Sequence, residues 1–80
     1  MNARAPLIVH ATWGDEAKVW VVTSGDVPGL ATEASSLDAL IPKLKVMILE
    51  LLDVNGHADA DEIPFKVVGE ISEIAYREAA

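Results

Sequence analysis

Residues 25–40 read GDVPGLATEASSLDAL, and within them a chain reversal, a short extended segment and a helix start follow one another without a spare residue. Pro28 fixes its own φ and drives Val27 toward extended geometry, while Gly29 accepts the positive φ required at the third position of a type II turn. The chain is therefore expected to reverse there. Leu30 to Ala34 is long enough for a short third strand. Ser36 then offers a hydroxyl to cap a helix starting at Leu37, with Asp38 in the first turn, where the helix dipole favours an acid. Corner, edge strand and cap together take a chain from a meander onto a helix that crosses the meander's face.

Upstream, Leu7 to Trp13 alternates Leu7, Val9 and Ala11 with Ile8, His10 and Thr12, the period of a strand. Gly14-Asp15-Glu16-Ala17 breaks it. Lys18 to Ser24 resumes as the second arm of an antiparallel hairpin, with Val19, Val21 and Thr23 facing one way and Lys18, Trp20, Val22 and Ser24 the other. Pairing the cleaner faces assigns Leu7, Val9, Val19 and Val21 to the core. It leaves Ile8, His10, Trp20 and Val22 on a second face, apolar at its centre, that something is expected to cover.

Downstream, Leu37, Leu40, Ile41, Leu44, Ile48, Leu51, Leu52 and Asn55 recur at intervals of three and four, which predicts one long helix running to about Val54. Asn55-Gly56 supplies its C-cap, glycine taking left-handed geometry at low steric cost. Pro42 removes the amide that would bond to the Asp38 carbonyl, so a kink or an irregular first turn is expected near residues 38–42. Val46, Met47 and Leu49 are surplus to the core stripe and point to burial on a second side. After the acidic loop HADADE (57–62), Ile63, Phe65 and Val67 alternate with Pro64 and Lys66 as a fourth strand, Pro64 suiting an edge or a first position and Gly69 a bulge. ISEIAYREAA fits strand or helix spacing, and strand is expected as far as about Ile74. The order β-β-β-α-β gives the α+β class: an antiparallel sheet with one long helix packed on one face.

The totals bound the function. Eighty residues, with 51% hydrophobic and 24% charged, make one globular domain spanning residues 1–80, with modest stability or stability shared with a second copy. Cysteine is absent, which excludes disulfides and thiolate metal sites. The N-terminal apolar run is too short for a signal sequence or a membrane span, so a cytoplasmic protein is expected. A formal charge of −7 repels a nucleic-acid backbone and suits a basic partner.

The segment VWVVTSGDVPGLATEASSLDAL (19–40) resembles the HicB-like antitoxins, in which a second strand runs into an Asp-x-Pro-Gly corner, a short strand and a helix opening on a small polar residue. Asp26, Pro28, Gly29, Leu30, Thr32, Glu33 and Leu37 carry the fit. WGDEAKVWVV and KLKVMILELLDVNG look like the uncharacterised single-domain branch, the domain of unknown function 1902 family, over most of residues 6–70. The resemblance implies a degenerate RNase H-like unit that binds a small basic ribonuclease toxin (HicA-like) and blocks its catalytic His. Relatives carry a second, DNA-binding domain, for which this chain has no room after the fourth strand, so no direct nucleic-acid binding is expected.

No catalytic constellation stands out. A metal nuclease needs carboxylates gathered at strand ends, and Leu7 to Trp13 holds none. His57, Asp59, Asp61 and Glu62 lack the glycine and final Glu of an EF-hand loop and read as a solvated loop. His10 has no Ser, Cys or Asp at a spacing that makes it catalytic. The expectation is therefore no enzyme, no metal and no cofactor. A homodimeric protein-binding module should use Trp20, His10, Ile8, Val22 and Met47 as its partner or dimer interface, since Trp is favoured in such contacts. Asp26, Pro28, Gly29, Ser36 and Gly56 should define turns and caps. The alternative is a self-associating structural domain with no toxin partner.

Overall fold

Three strands form an antiparallel meander: β1 (Leu7–Gly14), β2 (Val19–Thr23) and β3 (Ala31–Ala34). The helix α1 (Leu37–Val54) follows, and β4 (Phe65–Glu70) returns to the sheet, whose order is β3-β2-β1-β4. This is a computed structural model that describes residues 5–56 and 62–78. The α+β class, the element order and the single helix on one face are those the sequence predicts. The sheet is mixed, because β4 lies parallel to β1, Leu7 beside Phe65, Val9 beside Val67 and Ala11 beside Gly69. A parallel neighbour needs a long crossover, and the connection through α1 provides it.

The pairing of β1 with β2 overturns one expectation. Ala11 lies opposite Val22, Thr12 opposite Val21 and Trp13 opposite Trp20. Residues opposite one another share a face, so Trp20 and Val22 join Val9 and Ala11 under the helix, while Val19 and Val21 fall on the other side. Val22 is fully buried and Val21 is 46% exposed. The reason is that VWVVT is apolar in both phases, and the turn rather than the alternation sets the register. The loop Asp15–Lys18 closes with the Lys18 amide donating to the Gly14 carbonyl at 2.8 Å and with Lys18 at φ 57°, delivering Val19 opposite Gly14.

Leu40, Leu44, Ile48 and Leu52 of α1 bury their side chains on Val9, Ala11, Val22, Val27, Leu30 and Ala34. The Pro-Gly corner is the type II turn expected. The Leu30 amide donates to the Val27 carbonyl at 3.1 Å, and Gly29 sits at φ 88°. A Cβ at Gly29 would lie 3.3 Å from Leu51 Cδ2, so the corner is pressed against the helix. Asn55 Nδ2 donates to the Pro28 carbonyl at 3.4 Å from the helix end. Ser36 caps α1 by accepting from the Ala39 amide at 3.0 Å, and Gly56 at φ 80° follows the last turn. The helix runs through Pro42 without a break. Only the Asp38 carbonyl loses its partner, at an exposed first turn where water can replace it.

Three further expectations change. β4 ends at Glu70, and residues 71–78 are neither strand nor helix, so the strand does not continue to Ile74. Gly69 is in regular register with Ala11 and makes no bulge. Val46 and Leu49 are exposed, not buried on a second side. Residues 57–61, which include His57, Asp59 and Asp61 of the acidic loop, lie outside the described residues.

Candidate interaction surface

Alternation along β1 divides the sheet into a covered and an open face. With α1 on the side of Val9 and Ala11, the register places Ile8, His10 and Thr12 on the open side with Val21 and Thr23 of β2 and Lys66, Val68 and Glu70 of β4. Val21 and Val68 are exposed and Ile8 is half-buried. The three apolar residues are spread one to a strand, with His10 and Thr12 between Val68 and Val21, and Glu33, Lys66 and Glu70 lie toward the outer strands.

The lower end of this face is held by side chains. Beyond Thr23, which pairs with His10, β2 has no further strand residue to offer Ile8. Asp26 Oδ2 accepts the Ile8 amide at 2.8 Å, and Ser24 Oγ donates to the Ile8 carbonyl at 2.5 Å. The Asp26 amide in turn donates to Ser24 Oγ at 3.1 Å. Asp26 is therefore a strand-end partner, the fold-defining role expected of it.

On the helix side, Trp20 reaches across β1. A Cβ placed on Gly69 of β4 would lie 3.3 Å from Trp20 Cζ3 and 3.5 Å from Leu37 Cδ1. Glycine at 69 thus makes room for the indole. Trp13 meets Trp20 edge to face, ring centroids 5.3 Å apart at 61°. These rings, with Leu37, Asp38 and Ile71, border a shallow depression of about 390 Å³. A second depression, about 260 Å³, lies between Ile63 and Phe65 on one side and Lys45, Ile48 and Leu49 on the other.

The five predicted interface residues are not brought together. Ile8 and His10 lie on the open face, and Trp20 lies in the groove under the helix, packed on the core. Val22 is fully buried and contacts nothing outside the fold, which corrects its assignment to an interface. Met47 is on α1, half-buried against the core. The phase of β2 is the cause, since the slip that buries Val22 also carries Trp20 to the covered side. Val21 and Val68 belong to the open face and were missed. Val68 was readable from sharing the strand phase of Lys66 and Glu70, whereas nothing in VWVVT singles out Val21.

Electrostatics adds little chemistry here. The hydrogen bond from Lys18, 2.9 Å from Asp15, holds that carboxyl below the usual carboxylate range, helped by the lysine charge and by Trp13. Among the described residues, no three His, Cys, Asp or Glu side chains group to hold a metal ion, and no polar or charged residue is buried. No helix of the described residues is long and apolar enough to cross a membrane.

Comparison with known proteins places the chain. A similar solved structure is the crystal structure of the hypothetical protein TTHA1013 from the extremely thermophilic bacterium Thermus thermophilus. It is 46% identical with a TM-score of 0.68, and the match covers 91% of this chain and 100% of that one. No curated protein matches. Residues 6–77 match the family described as domain of unknown function (DUF1902), and the chain belongs to that family.

Proposed function

We propose that the chain is a non-catalytic protein-binding module whose open sheet face receives a small basic protein, in the manner of an antitoxin of the HicB-like kind. The observation that carries this reading is the open sheet face, where Ile8, Val21 and Val68 stand among His10, Thr12 and Thr23 with no element of the described residues laid over them. Exposed apolar side chains rimmed by polar ones are a mark of contact surfaces. The net charge of −7 favours a basic partner and speeds its encounter at low salt. The Asp26-Val27-Pro28-Gly29 corner supports the HicB-like assignment, and the partner it implies is a HicA-like ribonuclease.

The test is co-expression with a small basic HicA-like protein encoded beside this one, followed by titration of the purified pair. A complex should form and weaken as salt rises. Val21→Lys with Val68→Lys should abolish it while leaving the circular dichroism of the free chain unchanged. No complex, or a complex indifferent to both substitutions, sinks the reading.

A further inference from the structure

We propose that residues 71–78 of one copy form a strand on the free edge of β4 in a second copy, reciprocally, so that two sheets join about a two-fold axis. This uses the edge of the sheet rather than its open face and stands apart from the partner proposed above. β4 is bonded to β1 alone, so among the described residues the outer row of backbone N–H and C=O groups along Phe65–Glu70 has no strand beside it. Such an edge is a template for another extended segment.

The segment that follows has the matching properties. Residues 71–78 run without helix, turn or bend, and Ile71, Ile74 and Tyr76 are exposed at 51%, 70% and 82%. Ile74 and Tyr76 thus lie outside the core of a single copy, while Ile71 borders the groove beside Trp20 and Leu37.

Symmetry then fixes the faces. A two-fold axis perpendicular to a sheet lays a strand antiparallel to its own copy without exchanging the faces, so odd residues oppose odd and even oppose even. With the axis at Ile71, Val68 lies opposite the partner's Ile74, Lys66 opposite the partner's Tyr76 and Glu70 opposite the partner's Ser72, all on the open side. On the helix side Ile71 meets the partner's Ile71 beside the groove that it already borders with Trp20 and Leu37. The six residues 72–77 cover the six of β4 with none left over. No like charges face one another in this register. An axis at Glu70 would oppose two glutamates, and an axis at Ser72 would set Ile71 against Glu73.

Sedimentation of the full chain at micromolar concentration should give twice the 8.5 kDa chain mass. Ile74→Glu with Tyr76→Glu should weaken the dimer more than about tenfold and leave the near-ultraviolet tryptophan spectrum of the folded chain in place. A second variant does not depend on that substitution being tolerated. The chain has no cysteine, so Ile71→Cys should oxidise to a disulfide-linked dimer, whereas the exposed, distant Val54→Cys should stay largely monomeric under the same conditions. A monomeric native chain, a dimer unmoved by the double substitution, or equal cross-linking at positions 54 and 71 overturns the proposal. Binding of a basic protein by either species bears on the open face alone.

Discussion

Val21 and Val22 are neighbours with identical side chains, and the sheet treats them oppositely: Val22 is fully enclosed and Val21 is 46% exposed. The same division runs through β1, where Val9 and Ala11 are buried and His10 and Thr12 are exposed. One side of the sheet is filled by Leu40, Leu44 and Ile48 of α1. On the other, Ile8, Val21 and Val68 have no element of the described residues laid over them. Position in the pleat, not hydrophobicity, separates residues that hold the fold from residues left for contact. Full burial of one such side chain contributes on the order of 1.5–3 kcal/mol, which the open valine forgoes until something covers it.

The sharpest way to break this contrast is to truncate one residue from each side. Leu44→Ala should cost about 2–5 kcal/mol by urea unfolding, while Val21→Thr on the open face should stay within about 0.5 kcal/mol. Equal losses would mean that the open face is structural. Next in size is Gly69→Val, which pushes atoms into the space held by the Trp20 indole and should cost about 1–3 kcal/mol with a changed near-ultraviolet tryptophan spectrum. An unchanged spectrum would show that the ring has room to move. Asp26→Ala leaves the Ile8 amide without its acceptor, with a loss of about 1 kcal/mol and faster hydrogen exchange at Ile8 than at Thr12.

The smallest effect has the opposite sign. Lys18→Gly relieves a left-handed backbone position and should stabilise by up to about 1 kcal/mol in the same urea assay. It also removes the lysine that holds the Asp15 carboxyl low. A lowered carboxyl favours the folded state above its unfolded pKa, and that contribution fades as pH falls through the depressed value. Both groups are well exposed, so the lysine's removal should cost little stability and instead move the Asp15 titration upward in a carboxyl-resolved NMR experiment.

Much of this architecture was legible because local chemistry decided it. The turn at Val27–Leu30 needs Pro28 and Gly29, the helix needs Ser36 at its start and Gly56 after its end, and the 3.6-residue stripe of leucines and isoleucines names the covered face of α1. What failed to show was decided at long range. VWVVT carries apolar residues in both phases, so only the loop closed by Lys18 could settle which valine goes inside. The parallel direction of β4 follows from a crossover whose length, not composition, permits it. The candidate interface was misread for the same reason. One wrong phase placed Trp20 and Val22 beside Ile8 and His10, when the groove and the open face lie on opposite sides of β1. Asp26 was correctly assigned to the fold, though its partner, an amide many residues upstream, is visible only once the strands are paired.

The position of β1 has a consequence for how the chain folds. Of its two bonded neighbours, β2 follows it directly, whereas β4 comes only after β3 and α1. Until β4 docks, β1 is a central strand with one flank bare. A folding chain that has closed its meander but not yet recruited β4 is therefore the species in which pairing with a neighbouring chain is easiest.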